Sequence, residues 1–168
     1  MNNIVVQQGD ITQIATDAIV NAANTSLLGG GGVDGAIHKA AGPKLLAACK
    51  NFEGCETGKV RVTEAYNLPA KYVIHAVGPI WNGGGGKEED LLYNAYYNSL
   101  LAAKSNCLRT VAFPNISTGL YRFPKEKAAE TAIMAVQDFL TGYPDEIETV
   151  YFVCYDEDNY KIYQSLLQ

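Results

Sequence analysis

The chain is short of several things, and each shortage narrows what it can be. It has four cysteines, at positions 49, 55, 107 and 154. They are scattered and no two stand at the spacing of a zinc pair, so neither a disulfide framework nor a structural zinc site is expected. No stretch approaches the roughly 18 apolar residues of a membrane-spanning helix. The start, Met1-Asn2-Asn3-Ile4-Val5-Val6, lacks a basic region followed by a long apolar one. Reduced thiols in a cytoplasmic protein with no membrane partner are the expectation. Positive charge is sparse as well: 13 Lys and Arg against 18 Asp and Glu give a net charge of -5. The basic residues are dispersed singly, without the stripe that reads nucleic-acid phosphates, which argues against duplex nucleic acid. A small ligand with two phosphates stays compatible, because backbone N–H groups hold phosphate without net positive charge.

What is present reads as α/β. The 168 residues, 48% hydrophobic and 18% charged, suit one domain of about 150 residues, taken as 1–168. Six β-type runs occupy 3–8, 17–22, 59–65, 72–77, 110–113 and 149–154, with helical patterns at 33–41, 43–51, 88–105, 124–140 and 156–167. Gly42-Pro43 breaks or kinks the first helical stretch. Alternation of strands and helices predicts helices packed on both faces of one sheet. The almost unbroken apolar runs at 72–77 and 151–154 predict central strands.

In open α/β sheets ligands sit beyond the carboxyl ends of the strands, and three loops there are unusual. The first run is followed by Gly9-Asp10-Ile11, the second by Asn21 through the tetraglycine Gly29–Gly32, and the fifth by Pro114 to Pro124. Gly30-x-Gly32-x-x-Gly35 has the letters of a dinucleotide fingerprint. Its context is wrong, because residues 24–29 separate it from the strand and Asp34 would oppose a pyrophosphate. A P-loop fails too: Gly78 and Gly83 have the spacing, but Gly84 stands where Lys is needed.

Ser117-Thr118-Gly119-Leu120-Tyr121 is small, polar and free of acids, which suits a diphosphate cradled by backbone N–H groups and hydroxyls. Asp34 alone reads as a helix-start acid. Bracketed with Asn24 around glycines, it reads as a carboxylate that takes a proton or holds a water beside an amide that holds hydroxyls. Asp10 is a turn residue by default; as a ligand contact it accepts from adenine's exocyclic amine, with the Ile11 N–H beside it. Tyr121 and Tyr155 follow strand ends and either stack on sugar or base or simply pack. His38, His75 and Cys154 read as packing, Gly83–Gly86 as a mobile turn, and no metal or cofactor is expected.

Together, GDIT at 9–12, DAIVNAANTSLLGGGGVDGAIHKAAGP at 17–43, VIHAVGPIW at 73–81, FPNISTGLYRFP at 113–124 and VYFVCYDEDN at 150–159 resemble the MacroD-type macrodomains. The resemblance is closest to the bacterial O-acetyl-ADP-ribose deacetylase branch. It implies a three-layer α/β/α sandwich with a mixed central sheet and an ADP-ribose cleft at one end. It puts Asp10 and Ile11 at the adenine and Ser117 to Tyr121 at the diphosphate and its ribose. It also puts Gly31, Gly32 and Val33 along the distal ribose, Asn24 as the amide orienting that ribose, and Asp34 as the catalytic acid. Tyr155 is a further adenine-side candidate. The implied reaction is metal-independent hydrolysis of esters at the distal ribose, of acetyl or of a protein Asp/Glu linkage. The alternatives are a non-catalytic ADP-ribose binder and a regulatory protein-interaction domain, for instance on an RNA-processing enzyme. Two positions depart from the family pattern: Asn115 where a small residue is common, and Arg122 where Gly is common.

Overall fold

A computed structural model describes residues 3–168. In chain order its elements are β1 (Asn3–Gln8), β2 (Ala18–Ala23), α1 (Gly32–Ala41), α2 (Pro43–Lys50), β3 (Val60–Glu64), β4 (Tyr72–Val77), α3 (Glu88–Ser105), β5 (Thr110–Phe113), α4 (Lys125–Gly142), β6 (Thr149–Cys154) and α5 (Glu157–Leu166). Each expected element is present, with ends shifted by no more than assignment itself varies. A single 3-10 turn, Ile11–Gln13, was not foreseen. Gly42, at φ 88°, closes α1, and Pro43 opens α2 at once, so the dipeptide breaks the helix rather than bending it.

The six strands form one sheet in the order β1-β6-β5-β2-β4-β3. All neighbours are parallel except β3, which runs antiparallel to β4 at the edge. This is the expected mixed α/β sandwich. Pleat alternation divides the core in two. Ala18 and Val20 of β2 face α3, α4 and α5 with Leu92, Ala129 and Tyr163. Ile19 and Ala23 face α1 and α2 with Ile37, Leu45 and Cys49.

Two consequences position the site. Five parallel strands end on one edge, so the loops after β1, β6, β5 and β2 open there in that spatial order. Asn21 also falls on the α1/α2 face by the same period of two, and the strand register sets His75 directly beside it. Among the described residues no helix is long and apolar enough to cross a membrane.

Candidate active site

A cleft of about 590 Å³ opens at that carboxyl edge. Every residue named as a candidate ligand contact lines it: Asp10 and Ile11 after β1, Asn24 and Gly31 to Asp34 after β2, Ser117 to Tyr121 after β5, and Tyr155 after β6. Gly78 after β4, weighed above only as a P-loop glycine, lines it too, as do Asp156 and Asn159 at the start of α5, which were not singled out.

Asp10 holds a turn at the rim of the cleft. It caps the 3-10 turn, with Oδ1 accepting from the backbone N and the Oγ1 of Thr12 at 2.9 and 2.7 Å, while its residue lines the cleft. Asp34 lies in the first turn of α1 and is only 5% exposed. Its Oδ1 accepts from Nδ2 of Asn21 at 2.8 Å and lies 3.4 Å from Nε2 of His38. His38 is therefore the partner of this carboxylate rather than plain packing.

Behind Asp34 the polar line continues into the sheet. Asn21 Nδ2 is 3.2 Å from His75 Nδ1, and His75 Nε2 is 2.9 Å from Thr63 Oγ1. Thr63 donates its own hydrogen to the Glu64 carbonyl. The Nε2 of His75 therefore carries the proton and Nδ1 accepts from Asn21. Burial drives the His75 pKa down to about 3, with His38 adding to it, so the ring is neutral. Cys49 Sγ lies 3.6 Å from His75 Nε2. Burial, and then the Asp34 charge, push that thiol up to about 11. A cysteine and a histidine thus meet, but with shifts opposite to those of a thiolate nucleophile.

The Asn24 amide is occupied by its own loop. Nδ2 donates to the Gly29 carbonyl at 2.9 Å, and Oδ1 accepts from Ser26 Oγ and Leu27 N. A Cβ added at Gly30 would stand 3.4 Å from Asp34 Oδ2 and 3.5 Å from Asn24 Nδ2. Bare main chain therefore runs between the amide and the acid. At Gly35 a Cβ would approach the Gly30 carbonyl to 2.5 Å. The last glycine of the fingerprint-like run serves close seating of α1 on the loop.

On the other side, Ser117 adopts φ 68° and its Oγ is buried without a partner among the described residues. The loop is closed by Phe123 N to Ser117 O at 2.9 Å and Arg122 N to Gly119 O at 3.0 Å. Arg122 has φ 60°, a left-handed conformation that glycine adopts at least cost. Asn115 directs Nδ2 at the Cys154 sulfur, 3.6 Å away.

A family model for the Macro domain matches residues 20–132. The chain belongs to the macrodomain family. It is 55% identical to the O-acetyl-ADP-ribose deacetylase of Escherichia fergusonii, covering 99% of this chain and 96% of that protein. It is 57% identical to the protein of that name from Salmonella typhimurium, covering 96% and 92%. Among solved structures, the Oceanobacillus iheyensis macrodomain with ADP is similar at a TM-score of 0.91 and 46% identity, over 96% of this chain and 88% of that one. The Trypanosoma brucei macrodomain in complex with ADP-ribose has a TM-score of 0.94 and 43% identity, over 99% and 69%.

In this macrodomain the charged residues lining the cleft are Asp10, Asp34 and Asp156, and among the described residues no Lys or Arg lines it. Lys125 is held by Asp156 and Asp158 at 3.9 and 3.4 Å. Leu120 and Tyr155, which line the cleft, are 87% and 78% exposed, apolar surface left open on its wall. Sequence reasoning missed Asn21, whose side chain reaches the acid from behind. The available signal was an asparagine at a position where strand alternation demands an apolar residue.

Proposed function

We propose that this macrodomain binds ADP-ribose and hydrolyses esters at its distal ribose, with O-acetyl-ADP-ribose as the defining substrate and protein Asp/Glu-linked ADP-ribose as a second ester of the same kind. One observation carries the reading: the loops that line the cleft follow the strand order. At the β1 and β6 end stand Asp10, an acceptor suited to an adenine amine, and Tyr155, an exposed ring. In the middle, after β5, lies the acid-free loop with an unpartnered buried hydroxyl at Ser117. At the β2 end is the buried Asp34, flanked by glycine main chain and Asn24. A base acceptor, an anion cradle and a lone carboxylate lie in the order of adenine, pyrophosphate and terminal sugar.

In this reading Asp34 places or deprotonates the water that cleaves the ester. The water is consumed, and free ADP-ribose and the carboxylic acid are released. Asn21 holds Oδ1 of Asp34, while Oδ2 lies on the Gly30 side. Asn24 contributes by fixing the glycine loop from Leu27 to Gly29, which sets where the ribose meets main chain. The curated relatives named as deacetylases support the reaction, and the structures with ADP and ADP-ribose support the ligand.

The test has two arms. Calorimetry is expected to show ADP-ribose binding in preference to NAD, ATP and AMP. Incubation with O-acetyl-ADP-ribose is expected to release acetate, and Asp34→Asn to lower kcat by at least about 10²-fold with ADP-ribose affinity retained. Binding without acetate release by the unaltered protein would instead make it a non-catalytic reader. Equal turnover in Asp34→Asn would remove Asp34 from the chemistry.

A further inference from the structure

The glycine run expected to be a mobile turn is tied down. Glu88, the first residue of α3, is 5% exposed although the residues before it are open to solvent. Its Oε2 accepts from the backbone N–H of Asn82 at 3.0 Å and of Gly84 at 2.9 Å, and its Oε1 from that of Gly86 at 2.9 Å. Three charge-assisted bonds converge on one side chain. Those N–H groups, Asn82 foremost, hold its pKa below the usual carboxylate range, so the anion is present at neutral pH.

What the tied segment touches is the phosphate-side loop. Gly84, at φ 80°, lies so close to Trp81 that a Cβ there would stand 2.7 Å from the ring. The Trp81 ring packs on Phe123 with centroids 4.8 Å apart, and its backbone N donates to the Tyr121 carbonyl at 2.8 Å. At the other end of the segment, a Cβ on Gly78 would overlap Ser117 Oγ and Ile116 Cγ2. The stretch from Gly78 to Gly84 therefore braces the Ile116–Phe123 loop at both ends, and Glu88 fixes the outer end of the brace.

We infer that Glu88 is a positioning residue for ligand binding: by gathering the N–H groups of residues 82–86 it seats Trp81 under Tyr121 and Phe123, and so sets the geometry of the loop at 117–121. It touches no ligand and lies outside the cleft lining. The inference rests on the proposal that this loop holds the pyrophosphate of ADP-ribose. It assigns to the segment after Trp81 a role in affinity and none in the ester chemistry.

The experiment compares the unaltered protein with Glu88→Gln, Gly84→Ala and, as a control on the same helical turn, Glu89→Gln. Glu89 is exposed and, among the described residues, pairs with Lys127 at 3.6 Å. Gln keeps the shape of Glu88 but offers one acceptor oxygen to three donors. Trp81 is the chain's single tryptophan, so its emission reports the brace directly. For Glu88→Gln and Gly84→Ala, a shifted Trp81 emission is expected, with ADP-ribose Kd and ester KM raised about tenfold and kcat within twofold. Glu89→Gln is expected to match the unaltered protein. If Glu88→Gln does not fold, Gly84→Ala alone carries the test through the same readouts. A folded variant with shifted emission and unchanged Kd and KM overturns the inference, as does a fall in kcat at constant KM. Failure of the unaltered protein to bind ADP-ribose is a different result and overturns the functional proposal instead.

Discussion

Nδ2 of Asn21 stands 2.8 Å from Oδ1 of Asp34, yet Oδ1 of the same asparagine is buried with no partner among the described residues. A protein built for stability alone would not keep an orphaned buried carbonyl, which costs about 1–3 kcal/mol of desolvation. The nitrogen of the same amide, by contrast, is fully used. It bridges the neutral His75 imidazole and the Asp34 carboxylate, and so fixes which way the acid faces.

Asn21→Leu fills nearly the same volume and removes both the useful donor and the orphaned acceptor. It also leaves the buried His75 Nδ1 and Asp34 Oδ1 without that donor, so its unfolding free energy is expected to fall by about 1–3 kcal/mol, with the fold kept. Its kcat on O-acetyl-ADP-ribose is expected to fall by about 10²-fold through misplacement of Asp34. Denaturant unfolding and acetate release, measured on one preparation, check this. Loss of fold together with activity would count against a role in orientation.

Stability should respond to acid in a window set by His75. Its pKa falls from the ordinary 6.5 to about 3 on burial. Between those values the unfolded chain binds a proton that the folded chain refuses. The stabilisation is complete above pH 6.5 and is lost as pH drops toward 3, at about 1.4 kcal/mol per unit from this group. Denaturation midpoints at pH 7.0, 6.0 and 5.0 should fall for the unaltered protein. In His75→Gln the slope over this range should be shallower by that amount. A parallel slope in the two proteins would show that the ring titrates normally in the fold.

Salt separates main-chain recognition of phosphate from recognition by cations. With Asp10, Asp34 and Asp156 in the cleft and no Lys or Arg lining it among the described residues, screening weakens repulsion of the ligand more than attraction. The Kd for ADP-ribose is expected to stay within about threefold, or to tighten, as ionic strength rises. A Kd that weakens steeply with salt would point to a cation outside the lining, such as Arg122 or Lys125.

Much of this was legible in the residues, and the exceptions are instructive. The strands and helices followed from period and punctuation, because Gly42-Pro43 and the apolar runs are local signals. The cleft-lining loops were legible because glycine runs and small polar stretches after strands are rare without a reason. Asn21 and His75 were hidden. Each is a single polar residue in an apolar strand, and only the parallel pairing of β2 with β4 makes them neighbours. The Gly83–Gly86 segment misled for the converse reason: glycines permit motion, but the residue that withdraws it, Glu88, looked like an ordinary acid at a helix start. Asn24 was read as a ligand contact, and its bonds to Gly29, Ser26 and Leu27 give it a prior duty to its own loop.

The strand order has a bearing on how the protein matures. β1 and β2 are consecutive in the chain but stand apart in the sheet, with β6 and β5 between them. The loops that carry Asp10 and Asp34 are thus made early in synthesis, while the strands between them, β5 and β6, and the Tyr155 side of the cleft come later. Long-range parallel pairing of this kind is slow to form, so the cleft is complete only once β6 has paired between β1 and β5.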